Sequence, residues 1–151
     1  MADQELSFVS GLEHVQVDRA LLNWLNEYPS FPARVSRIEQ EYLSTSTSMG
    51  LFAISAPYKT VEYISGAYEA QYQFALQYRI AATTSNQRLD ASEALSDIAA
   101  WAEKRTDLPD LGPGKQAISI ERNSPAIMLG RSEDRNEDYQ ILMVFNYKVH
   151  P

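Results

Sequence analysis

The chain has 151 residues, 44% of them hydrophobic, and its 20 acidic and 13 basic residues leave a net charge of −7. That is the composition of one soluble globular domain, long enough to bury about two thirds of the surface its unfolded form exposes. The absence of cysteine excludes disulfides, zinc–thiolate sites, iron–sulfur clusters and thiol nucleophiles. With only His14 and His150, near opposite ends, a histidine-rich metal centre or histidine relay is not expected. The acidic balance argues against a surface that grips DNA or anionic lipid through its overall field.

The opening Met1-Ala2-Asp3-Gln4-Glu5 lacks the basic and apolar regions of a secretory signal. No window approaches the roughly 18 apolar residues of a spanning helix, so no membrane partner is expected. The first predicted element is a helix over residues 18–28, with Asp18 as N-cap, Val17 and Leu22 as a hydrophobic staple, and Pro29 as its stop. Short strands are expected over 33–43 and 51–56, joined by the loop Ser44-Thr45-Ser46-Thr47-Ser48.

The strongest pattern follows. Over residues 68–80 the even positions are Tyr68, Ala70, Tyr72, Phe74, Leu76, Tyr78 and Ile80, while the odd ones are Glu, Gln, Ala or Arg. A period of two this long means a strand with one buried face. A second helix is predicted over 90–105, opened by Asp90 and Glu93 at capping-box spacing, with Leu95, Ile98, Trp101 and Ala102 on its apolar face. The prolines and glycines between Leu108 and Lys115 end regular structure there. Strands over 116–122 and 126–129 come next, and then a charged loop. The final strand has Tyr139, Ile141, Met143, Phe145, Tyr147 and Val149 on one side. Leu142 and Val144 make its other side apolar at mid-length, which predicts a central strand covered on both faces. The order gives an α+β fold: a single domain over 1–151, with a largely antiparallel mixed sheet and two main helices packed on one face.

Patterns that would carry chemistry fail or have a structural explanation. Gly112-Pro113-Gly114-Lys115 lacks both the first glycine of a phosphate loop and the Ser or Thr after its lysine. Asp90 and Glu93 read as a helix start. Asp134, Glu137 and Asp138 are interrupted by Arg135 and lack calcium-loop spacing, so they read as a solvated hairpin loop. The Tyr68, Tyr72, Phe74 and Tyr78 face could stack single-stranded nucleic acid. Its opposite face is Glu and Gln rather than Lys and Arg, however, so the tyrosines read as packing. No catalytic residue, cofactor or metal is expected.

The assembled order is helix, long Tyr/Gln-rich strand, helix, Pro/Gly break and a charged loop running into an amphipathic strand. Three stretches carry its texture: Leu21-Leu22-Asn23-Trp24-Leu25-Asn26, Gln71-Tyr72-Gln73-Phe74-Ala75-Leu76, and Ser132 to Ile141 leading into Phe145-Asn146-Tyr147-Lys148-Val149. In this it resembles the minor capsid or tail-terminator proteins of long-tailed bacteriophages. The resemblance spans nearly the whole chain and is one of layout, without a signature motif.

The resemblance implies a virion protein assembled in the bacterial host cytoplasm, not an enzyme. It implies a ring of six copies on the tail tube that ends tube polymerisation and meets the head connector, while DNA passes through without sequence-specific binding. A partner interface is expected in the charged loop, at Arg131, Glu133, Asp134, Arg135, Glu137 and Asp138, which could order only on contact. The alternative is a small-molecule-binding α+β domain with a pocket lined by Tyr68, Tyr72, Phe74 and Trp101. A third reading, a carboxylate enzyme, lacks a convergent acid/base set.

Overall fold

A computed structural model describes residues 7–82, 84–132 and 135–151. Two 13-residue strands, β5 (Tyr68–Ile80) and β8 (Glu137–Val149), form its axis. They pair antiparallel without a register break, from Tyr68 opposite Val149 to Ile80 opposite Glu137. Each is flanked by two shorter strands laid end to end. β3 (Ser48–Ala53) and β4 (Tyr58–Glu62) both pair antiparallel with β5. β6 (Lys115–Arg122) and β7 (Ile127–Arg131) both pair antiparallel with β8. Outermost on the far side, β1 (Ser7–Phe8) pairs with β4 and β2 (Ile38–Gln40) runs parallel to β3. The described residues therefore form a single α+β domain with one eight-stranded, largely antiparallel sheet and two helices, as expected.

Both helices, α1 (Gly11–Leu25) and α2 (Ser85–Lys104), pack on the face made by the even positions of β5 and the odd positions of β8. Tyr72, Phe74, Leu76, Ile141, Met143, Phe145 and Tyr147 are fully buried there beneath Leu21, Leu25, Leu95 and Ile98. This is the alternation read from the sequence, now with a helical layer over its apolar side. The helices meet end to end through aromatics: Trp24 and Trp101 lie 5.3 Å apart, and the Arg105 guanidinium stacks on both rings.

Several expectations are corrected. Helix α1 begins at Gly11 with Ser10 as N-cap, the Ser10 hydroxyl accepting from the Glu13 N–H. Asp18 is thus mid-helix, and Val17 and Leu22 form no staple. Helix α2 begins at Ser85, and its capping box is Thr84 with Gln87. Asp90 and Glu93 cap nothing.

The strand expected over 33–43 is cut to Ile38–Gln40, because Arg34 and Glu41 on either side adopt left-handed backbone at φ 70° and 48°. Strands β1 and β4 were not expected. Leu142 and Val144 on β8 are half-exposed: β8 is central in the sheet, but the described helices leave its second face open. The break after α2 holds Gly112 and Gly114 at φ 90° and 78°, a backbone region that L side chains resist.

Candidate functional site

Arg131 at the end of β7 and Glu137 and Asp138 at the start of β8 take part in internal ion pairs. Glu137, the first residue of β8, is 2% exposed. One carboxylate oxygen accepts from Arg88 on α2 at 2.9 Å and the other from Arg131 on β7 at 2.7 Å, while the Tyr139 hydroxyl donates at 3.0 Å. The Arg88 donor holds its carboxyl below the usual carboxylate range against the opposing effect of burial. Its neighbour Asp138 lies on the open face and takes a two-pronged contact from Arg79 at 2.7 and 2.9 Å. Arg79 also donates to the Ser44 carbonyl.

Arg135 turns the chain at φ 64°, and buried Asn136 donates to the Thr45 carbonyl at 2.8 Å. Of the expected interface residues, then, the structure joins Arg131 to Glu137 and commits Asp138 to Arg79. Arg135 is exposed in the turn, and Glu133 and Asp134 lie outside the described residues. Glu137 and Asp138 are thus each paired within the chain.

A second polar network binds α1 to the sheet. Buried Glu13 accepts from the hydroxyls of Tyr68 and Tyr147, the latter at 2.7 Å. One turn on, Asp18 accepts from Tyr72. His14 Nε2 lies 3.2 Å from Asp18, with its ring edge-on to Tyr72 at 5.5 Å. Burial pushes the Tyr68, Tyr72 and Tyr147 phenols above their usual value, and the adjacent carboxylates add to the shift. Burial likewise raises Asp18.

These contacts occupy the aromatics assigned to the alternative pocket. Tyr72 and Phe74 are fully buried and tilted on one another at 5.8 Å, Tyr68 is tied to Glu13, and Trp101 packs on Trp24 and Tyr28. Tyr68 and Trp101 are partly buried and packed against the core that holds Tyr72 and Phe74. Glu13 was missed because an acid on a buried helix face looks, in sequence, like a solvent position; its two tyrosine partners, one on each long strand, were the available clue.

The surface offers two further kinds of feature. Large apolar side chains stand exposed at Ile118, Ile127, Met128 and Leu129 on β6 and β7, and at Phe8 on β1 and Leu12 and Val15 on α1. There are also open depressions. One of about 580 Å³ lies between α1 and the 110–115 loop, with Arg19 and Lys115 on its rim. Two of about 230 and 350 Å³ lie along α2 and share Pro32 and Asp90. Among the described residues there is no cluster of acids and histidines arranged to hold a metal, and no helix long and apolar enough to cross a membrane. Comparison with known proteins finds no matching family model and no curated protein of significant similarity.

Proposed function

We propose that the chain is a structural protein of a long-tailed phage virion, of the tail-terminator or minor-capsid kind. In this reading six copies close into a ring on the tail tube, end its polymerisation and meet the head connector. The observation that supports it is the pair of apolar sheet edges. Ile127, Met128 and Leu129 are half-exposed on three successive residues of β7. That strand therefore presents apolar side chains on both faces of an edge whose outer backbone groups have no strand partner in the described chain. Across the sheet, Phe8 on β1 and Leu12 and Val15 on α1 are also exposed apolar residues. A head-to-tail ring buries both edges at each junction, whereas a two-fold dimer buries the same edge twice.

The open sheet face adds support for a channel wall. It carries Gln71, Gln73, Gln77, Gln140 and Asn146 with Leu142 and Val144, and its charges stand opposed, Arg79 paired with Asp138 and Lys148 across from Glu69. Such a face offers DNA phosphates no run of free cations. The test is native mass spectrometry of the purified chain, alone and with its tail-tube protein. The expected result is a six-copy species that is lost in a Leu129→Lys variant retaining the wild-type circular dichroism spectrum. A species that survives Leu129→Lys and Val15→Lys alike, or a monomer under both conditions, overturns the edge-to-edge ring.

A further inference from the structure

Helix α2 carries Asp90, Glu93 and Asp97 at i, i+3 and i+7, all exposed and without an ion pair among the described residues. Since Thr84 and Gln87 form the cap, these acids have no capping role. They lie beyond the first turn, where the helix dipole gives them little, and like charges at such spacing repel. All three line the two depressions that meet at Pro32 and Asp90, so they form one wall of a continuous groove between α2 and the 28–34 segment.

The groove floor has a matching feature at each end. Tyr78 is 94% buried by the structure around it, lines the larger depression together with Asp90 and has no hydrogen-bond partner among the described residues. Tyr28 lines the smaller depression together with Asp97 and is propped against Phe31 and Trp101. Seven residues of helix separate the two acids by about 10 Å. Arg34 stands on the lip at the Tyr78 end, and apolar Pro32, Ala33 and Ala91 line the larger depression between the charged positions.

We propose that this groove is a docking site for a basic segment of a partner protein, taking two Lys or Arg side chains about 10 Å apart. One sits between Tyr78 and Asp90 and the other between Tyr28 and Asp97, with Glu93 shared. Three residues of polyproline-II chain rise about 9 Å and bring the side chain back to the same face, so the matching motif is basic-x-x-basic. A cation there offsets the acid–acid repulsion and gives the Tyr78 hydroxyl a charged neighbour in place of water. The site lies on the helical layer, away from the sheet edges, and does not depend on the ring.

The experiment is NMR titration of the whole chain with acetyl-Lys-Ala-Ala-Lys-amide, and with acetyl-Lys-Lys-Ala-Ala-amide as the spacing control. The expected result is shift changes confined to residues 28–34, 78 and 87–97, weaker binding of the control peptide, and at least tenfold weaker binding in Asp90→Asn/Asp97→Asn. Tyr78→Phe, which leaves net charge untouched, should weaken binding severalfold, and Glu62→Gln/Glu121→Gln, on surfaces outside the groove, should have no effect. Shifts spread over the acidic surface, equal binding of the two peptides, or equal losses in the two charge-neutralised pairs would each overturn the proposal.

Discussion

With Arg88 and Arg131 on its two oxygens and Tyr139 beside them, the buried Glu137 carboxylate ties α2, β7 and β8 together at one point. Glu137→Gln should therefore cost about 2 kcal/mol in urea unfolding. The difference is predicted to depend on pH with a definite sign. Because the folded carboxyl is held below its usual value, its contribution is full above the unfolded value of about 4.3. It is lost as pH falls through the lower, folded one. Wild type and variant should converge in acid and diverge at neutrality.

Asp18 has the opposite sign. Its carboxyl is raised, chiefly by burial, so the stability it adds is present in acid and lost as pH rises through the folded value. Asn preserves an acceptor for Tyr72, and Asp18→Asn is expected to be no less stable than wild type at pH 7 by the same assay. Tyr147→Phe removes one of the two donors to buried Glu13 and should cost about 1–3 kcal/mol.

Among elements, the two candidate starts of α2 make contrasting predictions. Thr84→Ala removes the capping hydroxyl and should destabilise by about 1 kcal/mol. Asp90→Ala, five residues into the helix, should change thermal stability by less than half that. Gly50 on β3 makes a sharper case. A Cβ there would lie 2.5 Å from the Tyr42 carbonyl oxygen and 2.8 Å from the Phe52 ring, so Gly50→Ala forces the two segments apart and should lower the melting temperature by several degrees.

Elements with one dominant contrast were legible in the sequence. Strand β5 was read to the residue, because thirteen positions alternate between a helix-covered face and an amide-lined one. The helix starts were not, for physical reasons. Glu13 puts a carboxylate on the buried face of α1, satisfied by tyrosines 55 and 134 residues away, and this breaks the apolar period on which the reading depended. Thr84-x-x-Gln87 and Asp90-x-x-Glu93 fit one local pattern equally well; Arg88, drawn to Glu137 from a distant strand, helps fix the first. Strand β4 has little buried surface and so left little pattern to find. The charged loop was legible as charge, but that Glu137 and Asp138 pair inward depends on cross-strand register, which local composition does not encode.

For the whole molecule, one helical layer covers one face of a sheet, which leaves a neutral amide face and two apolar edges in water. A partnerless monomer has no need of three successive half-exposed apolar residues at Ile127, Met128 and Leu129, an edge that invites pairing with another chain. Head-to-tail closure would bury both edges together. The most direct measurement of the central claim is electron microscopy of the particles made when the gene is deleted from its phage or prophage genome. The account predicts tails of uncontrolled length without heads, restored to normal by the wild-type chain. Tails of normal length joined to heads would contradict it.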